Sequence, residues 1–252
     1  MISLNGTICN ASAFDWLNDS GFRYGFGCFE TILIKNQKIP LFDYHYKRLE
    51  QSLKQFKIPF NTSKETLMRR IYDLYAALKL TDAQYICRIY ITGGASSPMP
   101  QFEVFSNEII SIQSFAKKFS RAPFVFKAVT PHEFYKFKSM NYAHHLIQIK
   151  DSFEWPIYID SNDRVIDSTI FSVGIIKNKQ LYFAKHDYQL PSVSRQALID
   201  WYPTLVFEKE LRTSDILNAD VAFGCNAIQG IFKLGDFGYE LEEALPFPVH
   251  WL

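Results

Sequence analysis

The sequence predicts an α+β protein of two domains. Three observations predict it. Apolar residues alternate at period two in some stretches and recur at helical spacing in others, and the two kinds interleave along all 252 residues. A basic, less apolar segment, Ala116-Lys117-Lys118-Phe119-Ser120-Arg121-Ala122-Pro123, breaks that pattern near the middle. It places a first α+β domain at 1–116, a linker at 117–122 and a second domain at 123–252. With 48% hydrophobic and 16% aromatic residues, the chain can build packed cores and is not disordered. Its 27 Lys+Arg against 26 Asp+Glu leave a net charge of +1, no footprint for nucleic acid. No apolar run reaches the roughly 18 residues of a membrane span. The opening Met1-Ile2-Ser3-Leu4-Asn5-Gly6 lacks the regions of a secretion signal, so a cytoplasmic protein is expected. Cys9, Cys28, Cys87 and Cys225 are widely spaced without a CxxC pair, and neither a disulfide framework nor a zinc site follows from them.

Each element has its own signal. Residues 28–34 are apolar and β-branched and read as a strand; Asn36-Gln37-Lys38 then turns into a short strand at 39–42. Next the period changes. His45, Arg48, Leu49, Ser52, Leu53 and Phe56 share one face of a helix over 44–57, opposite Lys47, Glu50, Gln51 and Lys54. Thr62-Ser63-Lys64-Glu65 opens a second helix that buries Leu67, Ile71, Leu74 and Leu78. Strands at 84–92 and 105–113 flank the loop Gly93-Gly94-Ala95-Ser96-Ser97-Pro98. Beyond the linker come a strand at 124–130, an aromatic strand at 133–138 and a helix at about 140–152. Strands at 157–160 and 164–176 flank Ser161-Asn162-Asp163, and Lys177-Asn178-Lys179 turns into a strand at 180–184. A helix from Ser192–Ser194, stopped by Pro203, a strand at 204–208, a helical turn after Thr213 and a strand at 220–224 complete the chain.

Several residues could carry chemistry. Arg48 sits at the edge of an apolar helix stripe and cannot shed its proton, so it must meet an anion: a structural carboxylate, or a phosphate gripped with two N–H groups. Lys136 and Lys138 alternate with Tyr135 and Phe137, which puts both lysines on one strand face. Such a face is solvated by default; desolvation would make a lysine nucleophilic. Ser192-Val193-Ser194-Arg195 opens a helix, either as a simple cap or as an anion site of free N–H groups. Gly224-Cys225-Asn226-Ala227 leaves a strand end and can add further donors. Tyr24-Gly25-Phe26-Gly27 lacks the third glycine of a dinucleotide fingerprint and reads as a tight turn where the chain passes close to something. His144 and His145 point about 100° apart on a helix, so no metal site is expected there. Arg88 shares a strand face with Ile86 and Tyr90 and is a guess at a group for a substrate carboxylate, with no motif to identify it.

Taken in order, three segments resemble the class IV aminotransferases: Asp19 to Thr31 through Tyr24-Gly25-Phe26-Gly27, then His45-x-x-Arg48-Leu49-x-x-Ser52, then Lys138-Ser139-Met140-Asn141-Tyr142. Asp163 to Thr169, Val193-Ser194-Arg195 and Asp220 to Ile231 fit later motifs, so the likeness covers nearly the whole chain. The resemblance implies a D-amino-acid-aminotransferase-like fold, with a smaller N-terminal α/β sandwich and a larger C-terminal pseudo-barrel. It implies a pyridoxal-phosphate (PLP) enzyme acting on a small amino substrate as a homodimer. By the same resemblance, Lys138 looks like the lysine that holds PLP as a Schiff base and shuttles the substrate proton. Arg48 aligns with the phosphate-gripping arginine, Val193 and Ser194 with donors at the helix start, and Asn226 and Ala227 with the loop on the phosphate side. Asp167 stands where the family has an acid facing the pyridine nitrogen, and Tyr142 aligns loosely with the tyrosine at the ring hydroxyl. Departures are present: Asp167 replaces the usual glutamate, Ser172 the usual asparagine and Phe26 the usual acidic residue, and Tyr142 is one residue closer to its lysine.

D-amino-acid aminotransferases carry an arginine after the strand matching 84–92; this chain has Gly93-Gly94-Ala95. Gly27-Cys28-Phe29, Cys225-Asn226-Ala227-Ile228 and the short length look more like aminodeoxychorismate lyase, which releases pyruvate and forms p-aminobenzoate. A branched-chain or other amino-acid transaminase, and a PLP-binding relative without turnover, are the alternatives.

Overall fold

Which face of each strand is covered follows from the alternation of its side chains. The computed structural model describes residues 1–81, 84–95, 105–115, 121–149 and 154–248. It divides into two compact units: Met1–Ala116 with Phe137–Tyr142, and Lys117–Lys136 with Ala143–Leu252.

The first unit runs β1 (Ile2–Leu4), β2 (Thr7–Cys9), α1 (Ser20–Tyr24), β3 (Gly27–Lys35), α2 (Phe42–Phe56), α3 (Lys64–Ala77), β4 (Gln84–Thr92) and β5 (Asn107–Ser114). Its five strands form an antiparallel sheet in the order β2-β1-β5-β4-β3. On β4, Tyr85, Cys87, Ile89 and Ile91 are buried, while Ile86, Arg88 and Tyr90 are half-buried on the other face. The buried set joins Leu49 and Leu53 of α2 and Leu67, Ile71 and Leu74 of α3 in one core. Ser63 caps α3 by accepting a hydrogen bond from Thr66 N at 3.2 Å. Leu78 falls at the C-cap of α3 and is only partly buried against the core. The short strand expected at 39–42 does not form, because Leu41 at φ 62° swings the chain directly into α2. At α1, Asp19 accepts from Gly21 N (2.8 Å) and Phe22 N (3.3 Å), and its other oxygen accepts from the Thr92 hydroxyl (2.6 Å) and Asn107 (3.1 Å). That one buried carboxylate ties the helix start to β4 and β5.

The aromatic strand expected at 133–138 is absent. Glu133–Lys136 form a 3-10 turn, in which His132 accepts from Phe134 N through its ring and from Tyr135 N through its carbonyl. Lys136 therefore belongs to the second unit, paired with Glu133 at 3.2 Å and lying over the Tyr188 ring. Phe137–Tyr142 runs extended along the edge of β3: Phe29 N donates to Lys138 O and Met140 N to Gly27 O, both at 2.9 Å. Lys136 and Lys138 do not share a face. The tight turn noted in the sequence lets this segment in. A Cβ on Gly25, which sits at φ 67°, would lie 3.1 Å from the Asn141 Cα, and one on Gly27 would lie 2.7 Å from the Met140 sulfur.

The second unit contains β6 (Arg121–Ala122), β7 (Phe124–Ala128), α4 (Ala143–Ile149), β8 (Trp155–Ile159), β9 (Val165–Ser168), β10 (Ser172–Lys177), β11 (Gln180–Ala184), α5 (Val193–Trp201), β12 (Val206–Lys209), α6 (Thr213–Leu217), β13 (Val221–Asn226), β14 (Gly230–Leu234) and α7 (Leu241–Ala244). A six-stranded sheet has the order β12-β11-β10-β13-β14-β6, and β7-β8-β9 form another. The expected single strand at 164–176 is two strands in different sheets. Thr169 to Phe171 bends between them, with Ser168 N donating to Phe171 O at 3.2 Å. Residues 117–120 of the expected linker lie outside the described residues, and Arg121–Ala122 are part of the sheet, since buried Ala122 packs in the core of this unit. Among the described residues, no helix is long and apolar enough to cross a membrane.

Gly25→Ala forces a side chain into left-handed backbone and against Asn141. It should lower stability by about 1–2 kcal/mol in urea denaturation and raise the protease sensitivity of the 137–142 segment.

Candidate active site

Lys138 is half-buried at the β3 edge. Its ammonium lies 4.6 Å from the centre of the Phe29 ring and 5.5 Å from that of Tyr142, and the two rings meet edge to face at 5.5 Å. An ammonium over aromatic faces is partly stripped of water yet stabilised by the rings. That arrangement holds the amine in place for chemistry.

One residue along β3, the side chain points the other way. Glu30 is 1% exposed and meets α2: Arg48 donates from Nε (2.7 Å) and Nη2 (2.6 Å), and His45 Nδ1 donates at 2.7 Å. The i, i+3 spacing of His45 and Arg48 puts both over one carboxylate. Burial alone would raise the Glu30 pKa, but the charges and hydrogen bonds of Arg48 and His45 bring it down to about 2. His45 is pushed down by burial against the pull of Glu30, and the Lys138 charge pushes the same way as burial. It is therefore neutral near pH 7, its Nδ1 proton on Glu30 and its buried Nε2 without a hydrogen-bond partner. Beside them, burial and then the Glu30 charge push the Cys28 thiol up to about 12. Of the two anions open to Arg48 in the sequence, the structure supplies the carboxylate. Glu30 and His45, which the sequence motifs contained without a role, are its fixed partners.

In the second unit, α5 begins with Val193 and Ser194. Ser192 Oγ caps it by accepting from Arg195 N at 3.3 Å. Ser194 is fully buried, and its hydroxyl has no hydrogen-bond partner of ordinary geometry. The Cys225 thiol lies close: burial raises its pKa, while the Ser194 hydroxyl and the Arg195 charge oppose the rise. Arg195 itself is committed to Glu208 at 3.1 Å and to two backbone carbonyls. Asn226 ends β13, and its side chain builds the following turn by accepting from Ile228 N (2.9 Å) and Gln229 N (2.7 Å) and donating to Ile170 O (3.1 Å). Asn226 therefore shapes the loop that carries Ala227 with its amide already in use. Asp167 is half-buried on β9, just before the bend that Asn226 braces, so Asp167, Asn226, Ala227 and Ser194 gather at one end of this unit. His144 and His145 pack ring on ring at 4.0 Å against Tyr135 and Tyr158.

Residues 27–234 match the family model of the class IV aminotransferases (amino-transferase class IV), and the chain belongs to that PLP-dependent family. It is 24% identical over 230 residues to the aminodeoxychorismate lyase of Bacillus subtilis, covering 83% of this chain and 77% of that protein. The fold is shared with 4-amino-4-deoxychorismate lyase from Pseudomonas aeruginosa (TM-score 0.79, 18% identity, 96% of this chain and 94% of that one). It is shared as well with the branched-chain amino acid aminotransferase of Escherichia coli (TM-score 0.83, 20% identity, 98% and 89%). The mixed α and β architecture expected from the sequence is the one these proteins have.

The trio around Glu30 fixes an acid response. A depressed carboxylate pKa stabilises the fold above the ordinary value of 4.5, and that stability is lost as pH falls toward about 2. A depressed histidine pKa adds to the loss, because the unfolded chain takes up the proton first below about 6.5. Urea denaturation across pH should show stability falling from about 6.5 downward. Glu30→Gln should flatten the limb below 4.5 and cost about 3–5 kcal/mol at neutral pH by leaving Arg48 buried without its counter-charge.

Proposed function

We propose that this chain is a PLP-dependent 4-amino-4-deoxychorismate lyase, forming 4-aminobenzoate and pyruvate. The observation that carries the reading is the half-buried Lys138 amine on the Phe29 and Tyr142 rings, in a family member whose curated relative bears that name. The described part of the loop after β4 supports it over D-amino-acid transamination. A side chain at Gly93 would lie 2.3 Å from the Phe26 ring, and one at Gly94 would lie 1.7 Å from the Phe105 carbonyl. No arginine fits at either position. Ser96 to Pro98 of that loop lie outside the described residues.

Each unit holds residues whose chemistry suits PLP. Lys138 would bond it, the buried Ser194 hydroxyl and the Val193 and Ser194 N–H groups would take its phosphate, and Arg48, held rigid by Glu30, would add positive charge. Asp167 would face the pyridine nitrogen, Tyr142 the ring hydroxyl, and the Asn226–Ala227 loop the phosphate side. When bound, PLP supplies an aldehyde for the substrate amine and a ring that accepts electrons. Lys138 takes the proton from the ring carbon that bears the substrate nitrogen. The C–O bond to the enolpyruvyl group then breaks, the enolpyruvate takes up a proton and leaves as pyruvate, and the carbocycle becomes aromatic. Aromatisation drives the step, so the protein needs a positioned amine and no second half-reaction.

The reading extends to a cytoplasmic homodimer that supplies a folate precursor. The exposed Leu17, Phe22 and Phe105 of the first unit suit contact with a second copy. Branched-chain transamination is the second reading, favoured by the fold shared with the Escherichia coli aminotransferase.

Purified protein loaded with PLP should be yellow, and borohydride should fix the cofactor to Lys138. It should release 4-aminobenzoate from aminodeoxychorismate, and Lys138→Ala should lose about 10³-fold or more of that rate. Glutamate formed from 2-oxoglutarate with a branched-chain donor, and no 4-aminobenzoate, would establish the transaminase instead.

A further inference from the structure

The first unit contains an open cleft of about 440 Å³, walled by the turn after β1, the stretch before α3, the start of α3 and the start of β5. It lies on the helix-covered side of the sheet. On β5, Ile110 packs in the core under the helices, so Glu108, two residues earlier, faces the same way. Arg70 follows Leu67 by three on α3 and reaches toward that carboxylate. Its Nη1 donates to Glu108 Oε2 at 2.8 Å and to the Thr62 hydroxyl at 3.3 Å, and both partners line the cleft with it. The Asn5-Gly6 turn makes room for the guanidinium: a Cβ on Gly6, which sits at φ 88°, would lie 2.7 Å from Arg70 Nε.

Three features make this more than a structural ion pair. Glu108 is 5% exposed, and its Oε1 has no hydrogen-bond partner among the described residues. A buried acceptor left unmade is costly, and the last torsion of a glutamate is soft enough to turn either oxygen toward the cleft. Arg70 spends only Nη1 on described partners, so Nε and Nη2 keep N–H groups to offer. The other walls are uncharged: the Thr62 and Thr66 hydroxyls, the Asn5 amide and the half-buried Phe60 ring.

Charge then selects the ligand. A bound anion would face the Glu108 carboxylate, and a bound cation would face the Arg70 guanidinium. A neutral group that both donates and accepts satisfies the two together. Adjacent hydroxyls do so, one donating to the carboxylate while its neighbour accepts from the guanidinium. The threonine hydroxyls and Asn5 suit further hydroxyls, and Phe60 offers an apolar surface to C–H groups.

We infer that this cleft binds a neutral polyhydroxyl ligand, a monosaccharide or cyclitol, through the Glu108–Arg70 pair. The site is separate from the lysine platform. Glu108 pairs with Ile91 and Ile91 with Cys28, on the face that Glu30 shares, whereas Phe29 projects from the other face. It therefore stands whether or not the lyase reading does.

In protein carrying isotopically labelled arginine, each Nε–H gives its own NMR signal, and the one that Arg70→Lys removes belongs to Arg70. The probes are D-glucose, D-ribose and myo-inositol, with sodium acetate and methylammonium chloride as charged controls. At least one neutral probe should shift the Arg70 signal and saturate with a Kd of about 1–10 mM, and neither charged control should. Glu108→Gln should weaken that binding about 10-fold or more, and Thr62→Val and Thr66→Val a few-fold each. The inference is overturned if no neutral probe shifts the signal by about 100 mM, or if the shift drifts without saturating. It is overturned as well if acetate or methylammonium binds equally, or if Glu108→Gln leaves the affinity unchanged. Should Glu108→Gln fail to fold, Thr66→Val, whose hydroxyl meets only Ser63 among the described residues, decides by the same titration.

Discussion

The first unit depends on a seam of two backbone hydrogen bonds between β3 and the stretch Phe137–Tyr142. An edge strand otherwise leaves its outer amides and carbonyls unpaired. Here Phe29 and Gly27 spend theirs on Lys138 and Met140, and the lysine is fixed in register with the ring beneath it. Two glycines make the approach possible, because at both positions a side chain would occupy the space the seam uses. Placement of the Lys138 amine and completion of the sheet edge are one event in this molecule.

The strand that receives the seam sorts chemistry by parity. Even positions of β3 turn toward α2, where Glu30 gathers Arg48 and His45 into a buried, charge-assisted cluster. Odd positions turn the other way and present Phe29 and Thr31. One face thus supplies rigidity and fixed charge, and the other presents the aromatic platform under Lys138. A guanidinium whose Nε and Nη2 are already committed to a carboxylate loses little further freedom on meeting an anion, so it is pre-organised for one.

Much of this was legible in the sequence. The 3.6 period of His45, Arg48, Leu49 and Leu53 marked α2, and the Ser63 cap marked the start of α3, because local patterning decides those elements. The order of motifs singled out Lys138, Arg48 and Ser194, which the structure puts over the Phe29 ring, on the Glu30 carboxylate and in the first turn of α5. What escaped was set by tertiary contact. The alternation Tyr135-Lys136-Phe137-Lys138 has the period of a strand, but the His132 ring and carbonyl draw the chain into a 3-10 turn and hand the two lysines to different units. At the bend from Thr169 to Phe171 the sequence offers only the polar break Asp167-Ser168-Thr169, with no Gly or Pro, too weak a turn signal to announce that β9 and β10 join different sheets. Glu30 could have been found: an acid among inward-facing apolar residues, with an arginine and a histidine three apart on the next helix, signals a buried ion cluster. The three-residue β1 and β2 carry too few residues for a periodic signal, and β14 is buried on both faces, so it shows no alternation.

The return of the chain to the first unit has a consequence for its birth on the ribosome. The last strand of that unit ends at Ser114, yet its outer edge is completed only by Phe137–Tyr142. During synthesis from the N-terminus, β3 stays open until residue 142 has emerged. Through that interval the Gly27–Phe29 edge of β3 is bare to other nascent chains, and its closure waits on a contact more than a hundred residues apart, a slow one by the entropy of loop closure.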